Sequence, residues 1–175
     1  MKPRAVLPTL FNVFILVALL PTQCVAAPIA KFDYAWLLKT KSTQVSIDKR
    51  WKSVIRHLVP AASRALITDQ TWVSEKTVSD NRYITIVGGA AHHAMDEGLI
   101  WIDTASDKSI VVANVFVSQN IEKGEMVERM KFITRGYRSK SEFPKAFWDE
   151  YKPFIEQLKS TNSEVTFKED IIEVQ

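Results

Sequence analysis

Three apolar runs between Arg82 and Gln119 constrain this chain more than any other part of it. Leu99 to Asp103 and Ile110 to Val117 are apolar at consecutive positions, and Arg82 to Val87 precedes them as a further strand. A strand with one wet face alternates apolar and polar residues, so unbroken runs predict a sheet covered on both faces. The last two runs are joined by the polar turn Ala105-Ser106-Asp107-Lys108-Ser109. Strands joined by short turns are most simply antiparallel neighbours, which predicts a meander. The first two are separated by Gly88-Gly89-Ala90-Ala91-His92-His93-Ala94-Met95-Asp96-Glu97-Gly98, where two of the three histidines stand side by side between glycines.

The flanks supply helices. Lys31 to Lys41 predicts a short helix with Phe32, Ala35, Trp36 and Lys39 on one face. Val45 to Val59 predicts a longer one, capped by Ser46, with Ile47, Trp51, Val54, Ile55 and Leu58 at helical spacing. Pro60 stops or kinks it, and Ala61 to Ile67 can add a further turn. His57, beside that apolar face, is expected to be a hydrogen-bonded structural residue rather than a ligand. From Thr71 the period changes to two, with Trp72, Ser74, Lys76 and Val78 opposed to Val73, Glu75, Thr77 and Ser79. Ser79-Asp80-Asn81 is turn chemistry, because Asp and Asn tolerate left-handed backbone. Met126 to Thr134 fits a final strand. Ser141 is placed to cap a last helix with Pro144 in its first turn, and Phe147, Trp148, Tyr151, Phe154, Ile155 and Leu158 form its core-facing stripe. The sum is an α+β fold: an antiparallel sheet of about five strands packed with N-terminal and C-terminal helices.

The N-terminus predicts export. Lys2 and Arg4 precede an apolar run, Leu10 to Leu20, then Pro21 and the small residues Ala26 and Ala27. Such a layout is that of a secretory signal peptide, and its apolar core is well short of the roughly 20 residues that span a bilayer. Residues 1–27 are therefore expected to be a signal, 28–160 a single α+β domain, and 161–175 a tail whose Val165-Thr166-Phe167 can add an edge strand. The periplasm or the medium is the expected location. Cys24, the sole cysteine, falls inside the signal. The exported chain then has no disulfide, no cysteine nucleophile and no thiolate ligand. Removing Lys2 and Arg4 takes the 23 basic residues to 21 against 20 acidic ones. A near-neutral chain without a basic stripe is not expected to bind nucleic acid, nor a membrane once the signal is gone.

Chemistry centres on the glycine-flanked loop. His92, His93, Asp96 and Glu97 offer nitrogen and oxygen donors, but adjacent histidines in extended backbone point apart, so no metal or other cofactor is expected. No G-x-S-x-G elbow is present. An enzyme would have to use His93 as a base with Asp96 or Asp103 orienting it. A binding loop suits the residues better. Its glycines permit strained entry and exit, and Ala90, Ala91 and Ala94 are small enough for the loop to enter a cleft. Imidazole can donate and accept together, which suits it to a pair of carboxylates. The candidate partner-binding residues are Gly89, Ala90, Ala91, His92, His93, Ala94, Met95 and Asp96.

With Gly98-Leu99-Ile100-Trp101-Ile102-Asp103 after it, Ala90-Ala91-His92-His93-Ala94-Met95 resembles the periplasmic inhibitors of vertebrate (c-type) lysozyme. That family carries a protruding C-x-x-H-x-C loop between two strands, and His93 falls at its histidine. Ala90 and Met95 stand at its two cysteines, so the loop here is not closed by a bridge. The resemblance implies an exported protein that inhibits a cell-wall hydrolase by inserting the loop into the active-site cleft, the imidazole between the target's catalytic carboxylates. Two alternatives stay open: a periplasmic immunity protein against a delivered toxin, and an extracytoplasmic enzyme using His93. The partner is expected to be a protein. The oligomeric state is open, a homodimer included.

Overall fold

The computed structural model describes residues 32–64, 67, 72–89, 97–120, 125–161 and 165–174. Lys31 to Gln175 forms one compact unit. The segment expected to be a signal lies outside the described residues. Among those described, no helix is long and apolar enough to cross a membrane.

Three short helices come first: α1 (Ala35–Lys39), α2 (Ser42–Val45) and α3 (Trp51–Leu58). The expected single helix from Val45 to Val59 is broken, and Asp48 breaks it. Its Oδ1 accepts the Arg50 N–H at 2.8 Å, and its carbonyl accepts the Trp51 N–H at 2.9 Å. Aspartate competes with the helix by bonding to nearby backbone, so the chain turns before α3 begins. Ile47, expected in the core, is 80% exposed in that turn, and Ser46 follows α2 rather than capping a helix. Trp51, Val54 and Leu58 are buried as their spacing predicts. In α1 the buried residue is Leu37, with Tyr34 just before it, and Trp36 is only partly covered. Val59 is extended ahead of Pro60, as a residue before proline must be, and a 3₁₀ turn follows at Ala61–Ser63.

The sheet follows in chain order: β1 (Trp72–Ser79), β2 (Tyr83–Gly89), β3 (Glu97–Asp103), β4 (Lys108–Asn120) and β5 (Glu125–Arg135). All five pair antiparallel with their sequence neighbours, the expected meander. Asp80 and Asn81 both take left-handed backbone (φ 54° and 50°), as turn chemistry requires. A long helix, α4 (Lys145–Thr161), then returns the chain, and β6 (Val165–Val174) adds to β5 in parallel as the sixth strand. Parallel neighbours need such a crossover. Ser141 lies in a 3₁₀ turn (Lys140–Glu142) with its hydroxyl against that of Ser139, and the Pro144 carbonyl accepts the first helical bonds of α4.

The consecutive apolar runs are explained by two cores. Ile84, Ile86, Ile100, Ile102, Val111 and Ile133 face α1–α3, together with Leu37, Trp51, Val54 and Leu58. Leu99, Trp101, Ile110, Val112, Met130 and Phe132 face α4, with Phe147, Tyr151 and Leu158 above them. Trp101 sits in an aromatic nest, stacked on Tyr83 at 5.3 Å and edge-on to Phe147 at 6.2 Å. The aromatic stripe of α4 is core, as expected. In β1 the expected strict alternation fails at Ser74, where a bulge inserts one residue between the pairs Val73↔Gly88 and Glu75↔Val87. The bulge shifts the parity, so Val73 and Lys76 share the face toward α1–α3. Lys76 Nζ there donates to the Leu37 carbonyl at 2.8 Å, satisfying a group at the end of α1.

Candidate functional site

The glycine-flanked segment sits on a paired stem. Gly88 pairs with Gly98 and Gly89 with Glu97, so β2 and β3 run two residues further at this end than the apolar pattern marks. The eleven-residue loop of the sequence contracts to residues 90–96 between the paired ends. Ala90, Ala91, His92, His93, Ala94, Met95 and Asp96 lie outside the described residues. Gly89 is a buried strand residue in the stem.

The glycines have a different role from the one expected. Among described glycines only Gly136 has positive φ, so Gly88, Gly89 and Gly98 are not there for strained entry and exit. Gly88 and Gly98 fall on the face of Ile86 and Ile100, bare of side chains, beneath Trp51 and Ile67. A cavity of only about 10 Å³ remains there, roughly the volume of a single water probe.

The other end of the hairpin is held by charge. Asp103, only 4% exposed, accepts from Arg82 through both oxygens at 2.7 Å, from Ser106 Oγ at 2.6 Å and from the Ala105 N–H at 3.0 Å. Burial pushes its carboxyl up, but these donors outweigh burial and hold it at about 2. Asp103 is thus fully occupied at the end of β3 away from the loop, and it is not free to orient His93.

Next to it lies a cluster that local sequence did not reveal. Asp107, at φ 54° in the β3–β4 turn, meets His57 Nε2 at 2.8 Å, accepts from Tyr34 OH at 2.8 Å, and accepts from Arg135 Nη2 at 3.3 Å. Phe32 stacks on the His57 ring at 4.3 Å. Burial works against the Asp107 carboxylate, but His57, Tyr34 and Arg135 keep it more acidic than usual. Burial first, then the bond to Asp107, raises the Tyr34 phenol. His57 is hydrogen-bonded and partly buried. A carboxylate already serving three donors works as a brace that ties α1 and α3 to the sheet. In sequence Asp107 carried only a turn signal, and its partners lie 73, 50 and 28 residues away.

Among the described residues no group of three or more His, Cys, Asp or Glu is arranged to hold a metal ion. The fold and stem define an α+β protein whose sheet is covered on both faces and whose second hairpin carries the histidine pair. No protein-family model matches the chain, nor does any curated protein or solved structure.

Proposed function

We propose that this is an exported protein that binds and inhibits a lysozyme-like cell-wall hydrolase through the tip of the β2–β3 hairpin. What supports this function is the stem, which stays paired up to Gly89↔Glu97 at the edge of residues 90–96 and belongs to a sheet packed on both faces. A loop on a rigid stem loses less entropy on binding than one on a mobile support. That matters here because no disulfide closes the loop. His92, His93 and Asp96 are its polar groups, and an imidazole inserted between two carboxylates can donate to one and, when protonated, to both.

The test is inhibition and affinity capture with the mature protein and a His92→Ala/His93→Ala variant, using c-type lysozyme and envelope extracts as sources of target. Wild type should retain a wall hydrolase and lower its rate. Truncating a buried binding anchor costs at least about 2 kcal/mol, so the variant should bind roughly 30-fold more weakly. A hydrolase held equally by both proteins, or held by neither, would refute the assignment. Capture of a toxin of another class would replace it with the immunity function.

A further inference from the structure

Charge is balanced over the chain as a whole and unbalanced in one place. Without its expected signal the chain carries 21 basic residues against 20 acidic ones, yet residues 32–64 hold seven Lys and Arg against two Asp. Net charge averages this segregation away.

Packing turns the excess outward. Leu37, Val45, Trp51, Val54 and Leu58 are buried in the core beneath α1–α3, so the remaining faces of these helices look away from the sheet. Lys39, Lys41, Lys49, Lys52 and Arg56 are all exposed there. Lys49, Lys52 and Arg56 stand at i, i+3 and i+7, one stripe along α3 and the turn before it. Of the two aspartates, Asp48 is already taken by Arg50, whose Nε and Nη2 donate to it at 3.0 and 2.7 Å. Lys39, Lys41, Lys52 and Arg56 form no ion pair among the described residues. Like charges gathered in this way repel one another, and an anionic partner relieves the repulsion.

Ile47 is an independent mark of what that partner is. It stands 80% exposed among these cations. The turn that presents it is fixed on both sides. The Asp48 N–H donates to the Gln44 and Val45 carbonyls, each at 3.2 Å, and Asp48 in turn accepts from the N–H groups of Arg50 and Trp51. Trp36, partly buried, lies under the Arg50 guanidinium at 4.4 Å. A soluble polyanion would engage the cations and leave Ile47 in water. An anionic bilayer engages both, because its phosphates meet the cations while its headgroup layer takes up an apolar tip.

We propose that the outer surface of α1–α3 attaches the protein peripherally to an anionic phospholipid membrane, with Ile47 entering between headgroups and Lys39, Lys41, Lys49, Lys52 and Arg56 lying over phosphates. The methylene stems of the lysines follow Ile47 into the interface while their ammonium groups stay at its surface. This surface does not depend on the hairpin tip and would stand if that tip bound no hydrolase.

Co-sedimentation with vesicles tests it, using residues 28–175 so that the apolar N-terminal run cannot itself enter lipid. Binding is expected to vesicles of phosphatidylcholine mixed with phosphatidylglycerol, not to phosphatidylcholine alone, and should weaken as salt rises. Lys52→Gln and Arg56→Gln should each weaken it about fivefold, the value of one basic residue at an anionic surface. Ile47→Ser, which keeps every charge at an exposed position, should weaken it severalfold. Lys152→Gln, exposed on α4 at the other face of the sheet, should leave it unchanged. Absence of binding to the mixed vesicles would overturn the proposal. So would equal weakening by Lys152→Gln, which would mean diffuse attraction. Wild-type affinity of Ile47→Ser would also overturn it, and would reassign the surface to a soluble acidic partner.

Discussion

Asp103 and Asp107 stand four residues apart and do different jobs with one functional group. Asp103 organises its own turn, taking Ala105 N–H and Ser106 Oγ locally and reaching one strand across to Arg82. Asp107 reaches out of its turn to Tyr34, His57 and Arg135 and fastens the N-terminal helices. The Arg82–Asp103 pair has a buried acid and a base that is 45% exposed, so solvent screens part of the attraction. The folded carboxyl sits at about 2 against 3.8 for an unperturbed aspartate, which is a stability statement. Its contribution is fully present above about pH 4 and is lost as pH falls through about 2. Asp103→Asn should therefore lower unfolding free energy near neutral pH by about 1–2 kcal/mol. Urea unfolding at pH 7 and at pH 2 should show the gap between wild type and variant close at the lower pH. A gap that persists unchanged at pH 2 would mean that packing, not charge, is what the carboxylate supplies.

At the scale of elements, the strands were read well and their ends were not. Periodicity finds a strand because side chains alternate, but two glycines and a Glu-Gly pair carry no pattern, so the stem of the second hairpin was invisible in sequence. Ser74 misled in the same way, since a bulge changes parity without changing composition. The helix break at Asp48 was legible in principle: aspartate inside a helical pattern prefers to bond to neighbouring backbone. Pro153 is the opposite case. It lies inside α4, where it removes one backbone donor and crowds the preceding turn. Pro153→Ala should raise stability by about 1–3 kcal/mol if the helix alone decides. Thermal unfolding measures this directly. A fall in Tm would show that Pro153 contributes more through contacts outside its helix than it costs within it.

For the whole molecule, β5–α4–β6 is the unit that makes the fold more than a meander. The helix covers one face, and the strand it leads to covers the free edge of β5. Glu169 of β6 joins them, accepting from Tyr151 OH at 2.8 Å and Lys140 Nζ at 2.9 Å. A chain ending after Thr161 would leave β5 as an exposed edge, a template for pairing with another copy. Such a truncation should self-associate, seen as a shift from the full chain's elution volume in size-exclusion chromatography with multi-angle light scattering. If it instead matches the full chain in association state and Tm, β6 contributes little to the fold.

Sequence by itself determined the class of this protein. Consecutive apolar residues in β3 and β4 demand burial on both sides, and helical spacing in α3 and α4 supplies the covers, because both patterns are local and repeat. Tertiary structure alone decided which residues meet. Asp107 with Tyr34, His57 and Arg135 is brought together by strand register and helix docking. Contacts between residues tens of positions apart leave no period in the chain, so composition and spacing could mark their members without saying that they touch.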